Sequence, residues 1–516
     1  MLNLNALVAD SLSPAAAEQY RRRVADQADR LRTAVDAGEF DNPEFAVGLE
    51  MEVYSVEHER RQRLASVPET VFAAGAAKEL GVHNAELNTD PNVFDSAGLT
   101  TQADRIADAF EAADSAARQS GQQLVADAMW TIPPECGSDQ YLTATTDHDS
   151  LTVATNMRPD PRYIAIDTDI RQRAGGSIAL SVPGVDRTFP SMVFESLATS
   201  IQPHLQIPST ETFPAYYNAA IRTLGPLVAL AANSPFLPPD LYTDVDDPFE
   251  LVENTHHELR IAVFEQSVNV SDSPKVRVPA DIDSVGESID RIVEDDLYAP
   301  FLREWLTDAP RTSFADEYWE FAYKRSTFWR WLRCVIGGEP VGRGTERSLR
   351  IEYRPLPTQP TVADTVGLQW LTVGLIRGLV ETDHPISSLP WADANESFYN
   401  AARDGLAADL VWLTSDGELT TDSSVIFSEI FEIATAGLAA AGVDESAIEQ
   451  RLTPIAERWK QGLTPSRWKQ QAVRTRLEDG ADLSTAITAM QHQYIANSQT
   501  SGSFAEWIDN MSPESG

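Results

Sequence analysis

GRGTERSLRIEYRPLPTQPT, residues 342–361, alternates through its middle. Leu349, Ile351 and Tyr353 share one parity, and Arg350, Glu352 and Arg354 share the other. Successive side chains of a strand point to opposite faces, so this is a β-strand with one face on a core and a plus–minus–plus row on the other. A carboxylate between two guanidiniums suits a metal held beside phosphate oxygens. Alone, it reads more readily as a surface strand with a self-paired charge ladder.

The same design recurs upstream. In Phe45–Val56, FAVGLEMEVYSV, the residues Phe45, Val47, Leu49, Met51 and Val53 alternate with Gly48, Glu50, Glu52 and Tyr54. Two carboxylates then lie ~6.5–7 Å apart on one face. That is unfavourable unless basic residues or a divalent metal answer them. Residues 80–90 hold a shorter strand with Glu86 as its acid. In Thr199–Ile207, Ile201, Pro203, Leu205 and Ile207 alternate with Gln202, His204 and Gln206. Four acids and one imidazole thus sit on strand faces turned from the core: Glu50, Glu52, Glu86, Glu352 and His204. Hard oxygen donors with one imidazole suit Mg²⁺ or Mn²⁺. Two such ions bridging a nucleotide support phosphoryl transfer, with Arg350 and Arg354 beside the phosphates.

The 516 residues carry 78 acids against 40 bases, a net charge of −38. Only five of the bases are lysine: 78, 275, 324, 460 and 469. The acid is spread along the chain rather than gathered in a tail. A uniformly acidic, lysine-poor surface fits a halophilic, high-salt interior, where screening is strong. It argues against nucleic acid, which needs a basic patch. Cys136 and Cys334 form no CxxC or CxxH spacing, so a structural zinc site is not expected. The N-terminus lacks the basic and apolar regions of a signal peptide. No window approaches the ~18 apolar residues of a membrane span. The expectation is a soluble, cytoplasmic protein with no membrane partner, and a homo-oligomer is left open. No Walker A sequence is present, so a nucleotide must be held by another device.

Ser13 and Pro14 open a helix that runs to residue 37, before Gly38. Helices are also expected over 101–118, 212–233, 278–308, 312–335 and 361–381. Residues 123–130 and 176–182 read as strands, 131–175 as loops on the active-site side, and 337–344 as a hairpin loop. Beyond about residue 390 the pattern is wholly helical. The expected organisation is an N-terminal helix (1–40), a core (41–385), a helical C-terminal region packed on it (386–500) and a polar tail (501–516).

The wording of several segments resembles a known family. GLEMEVYSV (48–56), AELNT (85–89), PHLQIP (203–208), LVALAANSPF (227–236), LRIEYRPLPTQPTVADT (349–365) and YNAARDGLAADLVW (399–412) look like the type 2 glutamate–cysteine ligases. These are carboxylate–amine ligases of the glutamine synthetase superfamily. The resemblance implies an α+β fold: a curved antiparallel sheet forming an active-site funnel, flanked by helices. It implies metal ligation by Glu50, Glu52, Glu86, His204 and Glu352. It implies contact of Arg354 with ATP phosphates, a substrate-facing Gln206 and a substrate-binding Arg260. Many members carry H-x-H where this chain has His204-Leu205-Gln206. Residues 240–345 diverge most. The implied activity is ATP- and Mg²⁺-dependent activation of the glutamate side-chain carboxylate as an acyl phosphate, then attack by an amine. The competing class is a non-catalytic binding protein that keeps the fold and senses a nucleotide or amino acid. A third reading, an acidic structural protein with solvated strand carboxylates, leaves His204 and the arginines on those faces unexplained.

Overall fold

The computed structural model describes residues 4–58, 61–148, 151–243 and 245–511. Its centre is an eight-stranded antiparallel sheet made of β1 (Ala46–Glu57), β2 (Ala77–Lys78), β3 (Asn84–Asn88), β4 (Asn92–Val93), β5 (Gln122–Val125), β6 (Ile201–Gln206), β7 (Leu332–Ile336) and β8 (Leu349–Tyr353). The order is β7-β8-β6-β1-β3-β2, with β4 and β5 also on β1. The long β1 is the spine: β6 and β5 follow one another along one edge, β4 and β3 along the other. The sheet curls into a half-barrel with helices packed around it, an α+β architecture. Leu49, Met51 and Val53 of β1, Ile201 and Leu205 of β6 and Ile351 of β8 are fully buried in one apolar core.

Phe213–Ala231 packs along Trp391–Asp404, and Val362–Glu381 along Ser423–Ala440. The second crossing is a glycine contact. A Cβ on Gly437 would sit 2.1 Å from the Gly374 carbonyl oxygen, and one on Gly378 would sit 2.2 Å from that of Ile433. Only glycine lets the backbones approach that closely. Ser423–Ala440 is also long and apolar enough to cross a membrane by length and composition, which the sequence reading did not anticipate. Its Glu429 accepts hydrogen bonds from Trp412 Nε1 (2.6 Å) and the Ser415 amide (2.7 Å).

Several expectations need correction. The helix expected over 278–308 is confined to Val285–Glu294. Asp295 ends it, its carboxylate drawn to Lys275, Lys324 and Arg330. The region 312–335 holds only short helices, Phe314–Glu317 and Trp319–Ser326, before the chain extends into β7. Its aromatic density had masked the alternation of Leu332–Ile336. The supposed loops of 131–175 contain a hairpin (Thr145–His148 with Leu151–Ala154) and a helix, Pro161–Arg173, capped by Asp160. The strand near 176–182 pairs only with Val185–Phe189, outside the main sheet. Among the described residues of the supposed tail, Phe504–Met511 is helical and buries Phe504, Trp507 and Ile508 in a second apolar cluster. Residues 512–516 of that tail lie outside the described residues.

Charged pairs tie the C-terminal helices to the core. Arg458 donates to Asp364 Oδ1 (2.9 Å) and Gln359 Oε1 (2.7 Å), and both side chains of the ion pair are 0% exposed. Asp364 Oδ2 accepts from Thr361 Oγ1 and the Phe504 amide. Removing one partner of a buried pair strands the other charge. Arg458→Met is therefore expected to cost about 3–5 kcal/mol, read as a lowered midpoint in urea unfolding, whereas Arg474→Met, at an exposed pair, leaves the midpoint nearly unchanged.

Candidate active site

Register brings the polar residues of separate strands together. β1 sets Glu50 opposite Gln202 and Glu52 opposite Glu86, and β6 sets His204 opposite Glu352. Paired residues on one face lie ~4.5–5.5 Å apart at Cβ. Glu50, Glu52, Glu86 and His204 therefore converge on one patch, with Glu352 beside His204.

The patch has two electrostatic halves. In the first, Glu52, Glu79 and Glu86 each place a carboxylate oxygen within 4.8 Å of the others. Glu52 also accepts from the Ser200 amide (2.6 Å) and Gln202 Nε2 (3.3 Å), and Glu86 from Asn88 Nδ2 (2.8 Å). Burial, reinforced by the charges of Glu50 and Glu52, pushes Glu86 up to about 8. Burial likewise raises Glu52 despite its hydrogen bonds. Burial, then Glu86, Glu52 and Glu195, raises Glu79 well above the usual carboxylate range. Glu195, in the short 3₁₀ helix Met192–Leu197, rises to about 8 by burial and by Glu52. This half is short of positive charge.

The second half is neutralised. Glu352 is 3% exposed and accepts from Arg333 Nε (3.0 Å), from Arg333 Nη2 and from Arg354 Nη1 (2.6 Å). Burial opposes its ionisation, but Arg333, Arg354 and His204 hold its pKa well below the usual range. His204 Nε2 lies 3.2 Å from Glu50 Oε1, close but not aligned as a hydrogen bond. His204 Nδ1 accepts from Arg350 Nε (3.1 Å), and Arg350 Nη1 donates to the Gly337 carbonyl (2.9 Å). Burial alone would raise Glu50; His204 brings it net below its ordinary value. Arg354 bridges the halves, donating also to Gln202 Oε1 (3.1 Å).

Two cavities meet at Glu50. One, of about 270 Å³, is lined by Glu52, Glu79, Glu86, Glu195, Arg333 and Arg354, with Phe264 and Trp329 as apolar wall. The other, of about 380 Å³, runs along Gly48, Asn88, His204, Gln206 and Arg350. Gln206 donates to the Glu44 carbonyl (3.0 Å) and leaves its buried Oε1 without a partner, aimed at no donor. Arg350 bonds His204 and not Glu352, so it is not the arginine that holds Glu352 in place. Arg260 differs from expectation. It is 3% exposed, donates to the Pro355 carbonyl, lies 3.5 Å from Glu258 Oε1 and lines neither cavity.

Sequence reasoning missed Glu79, Glu195, Arg162 and Arg333. Glu79 follows a two-residue strand and Glu195 sits in a 3₁₀ turn, so neither carries an alternation signal. Arg162, in the first turn of a helix read as loop, lines the first cavity. For Arg333 a signal existed: Leu332–Ile336 runs into Gly337-Gly338, the mark of a hairpin strand.

The family that its sequence matches makes the chain an ATP-dependent amino-acid ligase. It belongs to glutamate-cysteine ligase family 2 (GCS2), whose model matches residues 46–498. Among curated proteins, none matches it in sequence. Among solved structures it is similar to the glutamate–cysteine ligase of Francisella tularensis in complex with AMP (14% identity, 91% of this chain and 98% of that one, TM-score 0.49). It is also similar to the bifunctional glutathione synthetase of Pasteurella multocida (14% identity, TM-score 0.44), covering 90% of this chain and 53% of that longer one. A third similar structure is a glutamine synthase homologue (10% identity, 92% of this chain and 74% of that one, TM-score 0.28). The family assignment rests on the sequence match.

The triad's protons give a testable pH dependence. Folded Glu86 keeps its proton to about 8, against an ordinary 4.5. Between those values the folded state binds more protons than the unfolded one, so this group's contribution to stability falls as pH rises through that window. A divalent cation displaces the protons and removes the repulsion. The rise in melting temperature on adding Mg²⁺ is expected to be larger at pH 8 than at pH 6. Glu86→Gln is expected to flatten that difference.

Proposed function

We propose that this ligase activates the side-chain carboxylate of glutamate with ATP and joins it to the amino group of cysteine, giving a γ-glutamyl amide. The observation that carries the reading is the divided patch itself: a carboxylate triad lacking cations beside a carboxylate gripped by two arginines. An all-oxygen donor set suits Mg²⁺ or Mn²⁺ at Glu52, Glu79 and Glu86. A second cation suits Glu50, His204 and Glu352, where Arg333 and Arg354 now supply the positive charge. For that, one guanidinium must swing off Glu352 toward the nucleotide. When bound, such cations neutralise phosphate oxygens.

The chain's own residues do the rest. Arg354 and Arg333 line the first cavity and can donate to the transferring phosphoryl group, stabilising its charge. A glutamate carboxylate oxygen attacks the γ-phosphorus and ADP leaves. The amine attacks the acyl carbon, phosphate leaves, and the amine's proton passes to solvent or a nearby carboxylate. No protein nucleophile is needed. Arg350 and Gln206 line the second cavity, where the nucleotide's remaining contacts belong in this reading. Arg260 is assigned a supporting role, holding the Pro355 carbonyl beneath Arg354. The catalytic core spans 41–385, with 386–500 packed behind it. The partners are small molecules, with no nucleic acid or membrane. Of the five lysines only Lys78 and Lys460 are exposed, so the outer surface keeps its acid excess, in line with a high-salt cytoplasm.

Incubation with ATP, Mg²⁺, glutamate and a panel of amines in concentrated KCl tests the reading. The expected products by mass are ADP and γ-glutamylcysteine. If no combination consumes ATP, the reading fails and the non-catalytic binding protein replaces it. Arg354→Met is expected to slow ADP release about 10²–10³-fold, with an unchanged circular dichroism spectrum.

A further inference from the structure

Behind the catalytic sheet lies a second cleft that the ligase chemistry does not use. Strand alternation makes it: Arg333 of β7 faces the catalytic cavity, while Cys334 faces the opposite way into a space of about 440 Å³. The cleft is walled by the helix Val285–Glu294, the segment 277–282, Phe328 and Trp391. Trp391 is 36% exposed, and its Nε1 donates to the Pro279 carbonyl (2.7 Å), so the indole is fixed at the rim.

Three arginines line this cleft in a chain of net charge −38: Arg277, Arg291 and Arg330. Two are engaged. Arg330 pairs with Asp295 (2.8 Å) and stacks 4.1 Å from the Phe328 ring centroid. Arg291 pairs with Glu287 and donates to the Ala280 carbonyl (2.7 Å). Arg277 is different. It is exposed, its backbone bridges that of Arg330, and its guanidinium makes no ion pair or hydrogen bond among the described residues. Its charge adds to the repulsion on Arg330. Of the two acids in the lining, Asp295 is already shared by Lys275, Arg330 and Lys324, and Glu294 is exposed. The cleft therefore gathers three guanidiniums against one buried acid that is already shared, Asp295, and one exposed at the surface, Glu294. Beside the charges lie Val278, Pro279, Ile282, Ile292, Phe328 and Trp391.

We infer that this cleft is a second binding site, for a small organic anion whose carboxylate, sulfonate or phosphate meets Arg277 and Arg330 while its apolar or aromatic body lies against Phe328 and Trp391. An anion there relieves the Arg277–Arg330 repulsion, and the apolar walls supply burial that an inorganic ion cannot use.

The probe is 1-anilinonaphthalene-8-sulfonate, titrated into the full chain and followed by its fluorescence. Binding is read without turnover, so it is independent of the reaction proposed above. One saturable site is expected. Arg277→Ala, at an exposed position, is expected to weaken it at least tenfold. Ala280→Trp, which fills the cleft from its exposed rim, is expected to abolish it. Arg354→Met, in the catalytic cavity, is expected to leave it unchanged. The inference is overturned if Arg277→Ala and Ala280→Trp both bind as the parent does, or if Arg354→Met removes the site.

Discussion

The repulsion among carboxylates on the polar face of β1 is the constraint that the rest of the site answers. Two full charges ~5 Å apart repel by about 3 kcal/mol at an effective dielectric of ~20. Five acids meeting at one patch cannot all ionise unaided. The chain resolves this in two ways. Glu50 and Glu352 are given His204, Arg333 and Arg354 and stay ionised. Glu52, Glu79 and Glu86 are given amides, and they resist ionisation. A compact dication would answer that repulsion in place of the protons. Antiparallel register produces the division, because the same pairing that sets Glu52 against Glu86 sets His204 against Glu352.

Positive charge is scarce in this molecule, and its placement follows from that scarcity. Lys275, Lys324 and Lys469 are buried against acids rather than left on the surface. Lys469 pairs with Asp127 just past β5 and donates to the Asn233 carbonyl (2.7 Å), pinning a C-terminal helix to the sheet. Arg458 pins another C-terminal helix to the helix Val362–Glu381 through Asp364. An exposed ion pair weakens as salt is added, whereas a buried one is little screened. Interior pairing therefore keeps the C-terminal helices docked at any ionic strength, while the acidic surface is free to depend on it.

How far the sequence could be read follows from where the alternation is long. β1, β6 and β8 show five or more residues of clean period two, and their charged faces identified Glu50, Glu52, His204, Glu352 and Arg354 as neighbours before any coordinates. Alternation allowed those strands to pair into one sheet, and the likeness to the ligase family implied that the sheet is antiparallel and curved into a funnel. Both signals fail where the chain is short or mixed. Glu79 stands after a two-residue strand, and Arg162 opens a helix inside a stretch of turn residues. The aromatic run before β7 imitates a helix until the glycine pair at 337–338. The tail was misjudged on polarity: Phe504, Trp507 and Ile508 are only three residues, but at helical spacing they bury one face. Arg260, assigned by wording, lies buried outside both cavities with its charge acting on Glu52, a placement that alternation could not have given.

β7 is the element that most changes the picture of the site. It is an edge strand, paired only with β8, and the Tyr217 hydroxyl donates to its Leu332 carbonyl (3.0 Å) from behind. Edge strands have one ladder of hydrogen bonds and yield more readily than central ones. Yet this strand carries Arg333, whose bidentate grip sets the charge of Glu352. The charge balance of the patch thus rests on an edge strand. Period-two geometry adds a further condition, because the residue next to Arg333 forms the wall of the rear cleft. Arg333 on one face and Cys334 on the other are thus fixed by the same short run of backbone.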